Sequence, residues 1–165
     1  MMNVDTSNME KILESQFWRF IDTTPTSLSP TWKIIGVGVE EGNAGIEYNP
    51  NIERVKWIID NSARSDHTSN DKQISVPQKS YKSDPCFEFV NAGRDQLNYK
   101  THFLEIDGWD ANNGSYPAKM SDATISITSF NGDEIDWDLY IDGDPTVGTV
   151  TISEGVPTFV PATSL

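Results

Sequence analysis

Alternation of apolar and polar residues with a period of two dominates the chain and predicts β-strands. In residues 134–142 the odd positions are apolar, from Ile135 to Ile141, and most of the even positions are acidic. Residues 120–130 show the same alternation, and Asn131-Gly132-Asp133 between the two segments is typical of a hairpin turn. We therefore expect these two segments to pair as antiparallel strands.

Seven further segments have strand patterns, and clusters of Gly, Pro, Asn and Asp separate them, including a predicted turn at residues 142–145. Nine short strands with frequent turns predict a single domain over residues 1–165, mainly β, with a sandwich or barrel architecture. The seven segments are residues 17–22, 32–40, 45–49, 73–79, 101–107, 147–153 and 156–160.

One segment, at about residues 84–97, has the signals of an α-helix. Asp84 is a suitable N-cap, and Pro85 suits the first helical position. The helical spacing of apolar and small residues predicts that one face packs on the sheet. That face comprises Cys86, Phe89, Val90, Gly93 and Leu97.

The middle of the chain is harder to interpret. Residues 52–59 fit either a helix or a strand, and the alternation of Val55, Trp57 and Ile59 narrowly favours the strand. Residues 60–71 are polar throughout and have no apolar anchor, so they predict a long loop, either disordered or ordered by contact with another subunit.

Charge is unevenly distributed along this acidic chain, whose formal net charge is −13. Residues 120–165 hold eight acidic residues and no Lys or Arg, whereas residues 54–82 hold six basic and three acidic residues. The overall charge argues against a surface that grips phosphates. The asymmetry is either simple solubility or a basis for head-to-tail contacts between copies.

The sequence predicts no enzyme, no metal site and no cofactor. Cys86 lies on the expected buried helix face, so it fits a small core residue better than a nucleophile paired with His67 or His102. The acidic pairs do not complete a calcium loop. The first 16 residues are polar and no apolar stretch approaches 18 residues, so neither Sec export nor a membrane span is expected.

The order of these segments resembles the tail tube proteins (major tail proteins) of long-tailed bacteriophages of Gram-positive hosts. The resemblance covers about residues 17–159 and depends on order and spacing. The segments that carry it are Phe17-Trp-Arg-Phe-Ile-Asp22, Trp32-Lys-Ile-Ile-Gly36, Glu47-Tyr-Asn-Pro50, Val55-Lys-Trp-Ile-Ile-Asp60, Gln73-Ile-Ser-Val76, the helix start at Asp84, Gly148-Thr-Val-Thr-Ile152 and Val156-Pro-Thr-Phe159.

The resemblance implies a structural virion protein with a β-sandwich or half-barrel body, residues 16–160, and one flanking helix. It implies hexameric rings that stack into a tube, located in the virion tail and, during assembly, in the host cytoplasm. It further implies that DNA passes through the tube without specific binding, and that the partners are the tape-measure, tail terminator and distal tail proteins. On the same resemblance, we expect an N-terminal arm, residues 1–15, and the long loop to reach the neighbouring ring, and residues 161–165 to form a tail.

Two sets of residues follow as site predictions from this resemblance and from charge. An acidic inner wall keeps DNA hydrated and mobile, and whether either acidic row faces the lumen is left open. The lumen candidates are Glu134, Asp136, Asp138 and Asp142, with Glu105 and Asp107 as the second row. The candidates for contacts between rings or subunits are Arg64, Asp66, His67, Asp71, Lys72, Glu10 and Glu14.

Two other functions fit the sequence. A tube subunit of a contractile injection device would have a similar fold. A carbohydrate-binding β-sandwich would present several Trp side chains together on one exposed sheet face.

Overall fold

The computed structural model describes residues 2–163, so Met1 of the expected arm and Ser164 and Leu165 of the expected tail lie outside the described residues. The fold is mainly β with one α-helix, as the sequence predicts. After a 3₁₀ turn at Glu14–Gln16, the elements are β1 (Phe17–Asp22), β2 (Trp32–Ile34), β3 (Ile46–Glu47), β4 (Pro50–Val55), β5 (Arg64–Asn70), β6 (Gln73–Lys79), α1 (Pro85–Ala92), β7 (Tyr99–Asp107), β8 (Ser115–Phe130), β9 (Glu134–Ser153) and β10 (Val156–Pro161).

Eight of the strands form one antiparallel sheet, in the order β2-β1-β7-β8-β9-β6-β3, with β10 also paired to β9. The predicted hairpin joins β8 and β9, and Asn131 closes it because its side-chain oxygen accepts from the backbone N–H groups of Asp133 and Glu134. The remaining two strands, β4 and β5, form a separate two-stranded sheet. The body is therefore one sheet with a projecting hairpin.

The predicted turn at residues 142–145 is wrong, because β9 runs through it without reversing. Asp142 pairs with Asp122 and Thr146 pairs with Met120, so three residues of β9 oppose Ser121 alone. Gly143, with φ of 68°, begins this bulge. Gly and Pro here bend a long strand instead of ending it, and the expected strands 134–142 and 147–153 are one element.

Two apolar cores lie on opposite faces of the sheet, because adjacent residues of one strand point to opposite faces. Ile21 and Phe103 belong to the first core, whereas their neighbours Phe20 and Leu104 belong to the second. Helix α1 covers the first core through Cys86 and Val90, both fully buried. The second core gathers side chains from β2 to β10, including Phe159, so the sheet curls around it.

The helix begins as predicted and ends earlier. The Asp84 carboxylate accepts from the backbone N–H of Cys86 at 3.2 Å, which is an N-cap bond. The helix stops at Ala92, and Leu97 is 93 % exposed, so the predicted extension to residue 97 is wrong. At Gly93, a side chain would collide with the Tyr99 ring, so this position has to remain small.

A buried amide joins the start of the helix to the sheet. Gln78 on β6 is fully buried and donates from Nε2 to the Asp84 carboxylate and to the Val37 carbonyl, each at 3.0 Å. Its Oε1 accepts from Trp137 Nε1, also at 3.0 Å. Both hydrogen-bonding atoms of this buried side chain thus have partners.

The middle of the chain differs most from expectation. Residues 60–71 are not a loop, because Arg64–Asn70 form strand β5 and pair with β4. Residues 52–55 are strand, as narrowly favoured, whereas 56–63 form the hairpin turn. The strands predicted at 32–40 and 45–49 are shorter, and residues 2–13 are exposed without helix or strand.

Candidate assembly surfaces

The first acidic row lies on an open face of the sheet. Along β9, Glu134, Asp136 and Asp138 alternate with the buried Ile135, Trp137 and Leu139, so their side chains point away from the first core and its helix. Asp142 lies on the same face and is paired with Asp122 of β8. This end of the sheet thus has one face covered by α1 and the other lined with carboxylates.

Lysine partly balances this row at its hairpin end. Lys79 on β6 is directly opposite Glu134, and its Nζ lies 2.8 Å from Glu134 Oε2, which lowers the pKa of Glu134. Asp136 has a raised pKa because of its partial burial and the neighbouring Glu134 charge, and its Oδ1 has no hydrogen-bond partner among residues 2–163.

At the other end of the row, hydrogen bonds fix the carboxylates in place. Asp142 accepts from Thr124 Oγ1 at 2.7 Å and lies 3.9 Å from Lys100 Nζ. The nearby His102 bridges two carboxylates, 2.9 Å from the buried Asp22 and 3.6 Å from the exposed Asp122. The open face remains acidic overall, because five carboxylates of β8 and β9 share it with Lys79 and Lys100.

The second acidic row lies on the other face. Glu105 pairs with Arg19 of β1 and Lys119 of β8, in line with residues of the first core. Burial, followed by the charge of Asp107, raises the pKa of Glu105, whereas Lys119 and Arg19 act in the opposite direction. Burial is also the main cause of the raised pKa of Asp107. The two candidate rows therefore cannot line the same wall.

Three of the candidates for contacts between subunits lie on the projecting hairpin. Arg64, Asp66 and His67 are all on β5, where every residue is exposed. Asp66 lies directly opposite Glu53 of β4, and like charges in this position destabilise a strand pair. Because a lone two-stranded hairpin is at best marginally stable, this element is well suited to being ordered by a partner.

The other four candidates are separated into two places. Asp71 accepts from Asn51 Nδ2 at the base of the hairpin, and Lys72 follows it. Glu10 is exposed in the N-terminal segment. Glu14 fixes the end of that segment to the body, because its carboxylate accepts from the Gly42 N–H at 2.5 Å and lies 3.8 Å from Arg19.

The most exposed apolar side chains of the hairpin are at its tip, and none of them is among the predicted site residues. Trp57 is 58 %, Ile58 103 % and Ile59 79 % exposed. The guanidinium of Arg64 lies 5.2 Å from the Trp57 ring centroid and 2.8 Å from Asp60. The signal in the sequence was an apolar run, residues 57–59, followed by a polar strand that has no apolar side chains to cover it.

The residues considered for catalysis or metal binding are not brought together. Cys86 is fully buried, and burial followed by the Asp84 charge raises the pKa of its thiol to about 12. His67 lies on β5 of the hairpin, whereas His102 lies on β7 of the main sheet. Among residues 2–163, no group of three or more His, Cys, Asp or Glu side chains is arranged to hold a metal ion.

No helix among residues 2–163 has the length and apolar character needed to cross a membrane. Comparison with protein-family models and with curated proteins finds no match to this chain.

Proposed function

We propose that this protein is a structural subunit of a tail tube, in which rings of identical copies stack around a channel for DNA. The observation that carries the proposal is the open acidic face of the sheet, opposite the helix-covered core. The order of segments that resembles tail tube proteins of long-tailed phages supports it independently of the structure. The number of six copies in a ring comes from that resemblance alone.

The row of Glu134, Asp136, Asp138 and Asp142 is the better candidate for the channel wall. These carboxylates lie on the face opposite α1, whereas Glu105 lies on the face of the first core, beside Arg19 and Lys119. A cationic wall would hold DNA through release of counterions, and an anionic wall avoids this retention. The proposed wall thus allows a phosphate polymer to pass without binding.

Sheet edges supply a route to ring formation. β2 and β3 are the terminal strands of the main sheet order, and an unpaired edge strand is a template for pairing with another chain. Pairing with like copies in a closed ring would satisfy these edges. The exposed hairpin and residues 2–13 are then available for contacts between rings.

Electron microscopy of the purified protein over a range of concentrations tests this proposal. We expect rings and tubes of constant diameter. A species that stays monomeric at every concentration would overturn the proposal.

A charge-reversal variant, Asp136→Lys with Asp138→Lys, tests the wall separately. Tubes should still assemble, and genome delivery by phage that carry them should fall. Asp95→Lys with Glu154→Lys is the control, because both acidic residues are exposed and lie outside the row. Normal delivery with intact variant tubes would remove this row as the wall.

The alternative functions have no comparable support. A tube subunit of a contractile injection device would use the same surfaces, and neighbouring sheath genes would identify it. A carbohydrate-binding platform needs adjacent exposed Trp side chains, but Trp32 and Trp137 are buried in different cores. The more exposed Trp57 and Trp109 lie in turns of different elements.

A further inference from the structure

The tip of the hairpin is an exposed apolar surface. Trp57, Ile58 and Ile59 are contiguous and exposed, and every residue of the two hairpin strands is also exposed. Contiguous exposed apolar residues at a projecting position mark an interaction site in soluble proteins. Around them are three basic residues, Arg54, Lys56 and Arg64, of which Arg64 is paired with Asp60.

A cleft of about 300 Å³ elsewhere on the same molecule has the complementary character. It lies between β1 and the segment of residues 34–44, and we call it the acidic cleft. Its apolar lining includes Phe17, Trp18, Ile34, Ile35 and Val39. Three glutamates, Glu14, Glu40 and Glu41, also line it.

One buried donor at this cleft lacks a partner. Arg19 lines the cleft, and its guanidinium donates to the Ala44 carbonyl at 2.7 Å. The Arg19 Nε–H is buried and has no hydrogen-bond partner among the described residues. An acceptor group carried into the cleft by a partner would satisfy this donor.

We infer that the hairpin tip of one copy docks in the acidic cleft of a second copy. The apolar tip matches the apolar lining, and the basic residues beside the tip match the three glutamates. The tip is exposed in this chain, so the chain's own tip does not fill its own cleft. This inference rests on the proposed assembly into a tube, and it identifies the receiving surface for the hairpin.

The geometry of such a contact sets the kind of assembly. Tip and cleft are different patches of the same molecule, so the contact is heterologous and leaves a free tip and a free cleft at the two ends. Repetition of this contact therefore produces a ring where the rotation between copies closes and an extended array where it does not.

Complementary charge reversal tests the contact. Lys56→Glu places an acid on the tip, and Glu41→Lys places a base at the cleft. Each variant alone should self-associate about tenfold more weakly than the wild type in sedimentation velocity. In an equimolar mixture, every tip meets a cleft of opposite charge, so association should recover to within about threefold of wild type, with the two variants alternating.

Matched controls separate this contact from a general effect of charge or exposure. Lys82→Glu makes the same charge change at an exposed position outside both surfaces and should leave association unchanged. Ile58→Ser should weaken association about thirtyfold, the scale of a hot-spot loss of about 2 kcal/mol. Leu28→Ser, at an equally exposed apolar residue in another loop, should not.

The outcomes also distinguish this inference from the proposed function. If the wild type forms tubes and Lys56→Glu forms them equally well, or the mixture fails to recover, the tip–cleft contact is wrong and the tube proposal stands. If the wild type remains monomeric at every concentration, both are wrong. Recovery only in the mixture supports the contact.

Discussion

Replacement of Gln78 by methionine tests how the helix is held on the sheet. Methionine keeps the unbranched shape and removes all polar atoms, so Trp137 Nε1, the Asp84 carboxylate and the Val37 carbonyl each lose a partner at 3.0 Å. Val37 is exposed, so water can replace its partner, and the buried groups left are those of Trp137 and Asp84. A buried polar group left without its partner costs about 1–3 kcal/mol. Two such groups give about 2–6 kcal/mol, and we expect a loss of about 4 kcal/mol in the free energy of unfolding.

Urea unfolding followed by tryptophan fluorescence at pH 7 measures this loss as a lower midpoint at constant slope. Trp137→Phe is the matched variant, because it removes the donor on the other side of the same bond. The double variant should lose less than the sum of the two single losses, by about 1 kcal/mol or more.

The pH dependence gives a second measurement of the same network. Burial raises the pKa of Asp84 in the folded protein, so its ionised form is less favourable there than in the unfolded chain. Loss of the Gln78 donor makes the ionised form still less favourable. The Gln78→Met deficit should therefore be largest at pH 7 and shrink as the pH falls through the raised pKa of Asp84. A loss below about 0.5 kcal/mol at pH 7 would refute the reasoning, because it is smaller than a single orphaned group requires.

Three further outcomes follow from the structure. Cys86 should resist thiol reagents in the folded protein, because it is buried and its pKa is raised to about 12, and should react once urea unfolds the chain; rapid labelling of the native form would contradict this. Glu105→Gln should raise the unfolding midpoint at pH 7 and have little effect near pH 4. Burial raises the pKa of Glu105, so the wild type loses stability as the pH rises through that raised value. An unchanged midpoint at pH 7 would count against this prediction. Gly148→Ala should detach β10, because a methyl group there would collide with the Val160 carbonyl. Amide hydrogen exchange of residues 156–161 should then accelerate, and unaltered protection would show that the strand adapts.

The regular parts of the fold are predictable from the sequence because burial imposes a period on them. The bounds of β1 and β6 match the predicted segments, and Trp137 is in the core as its alternation indicates. The N-cap at Asp84 also follows from local chemistry. In these places one face of an element is buried and the other is not.

The errors occur where that constraint is absent or the chain bends without turning. Strand β5 is exposed on both faces, so its sequence needs no apolar residue and looks like a loop. Gly143 and Pro145 lie in a bulge and not in a turn, because β9 pairs with the long strand β8 on both sides of them. Leu97 continues a helical spacing after the helix has ended at Ala92.

The candidate surfaces were predictable in composition and not in arrangement. The alternation in residues 134–142 separates acidic from apolar side chains, but only the position of α1 identifies which face is open. The acidic cleft could not be found by spacing, because Glu14 and Glu41 come together through a long-range contact at Gly42.

The bulge opposite Ser121 has a consequence for how the protein unfolds. On either side of it, the same two strands, β8 and β9, build one core on each face of the sheet, and their pairing resumes after the bulge and extends to Phe130. Both cores therefore depend on the same pair of strands. Two separate apolar clusters are thus joined into one cooperative unit, and probes located in each should report a single, coincident transition.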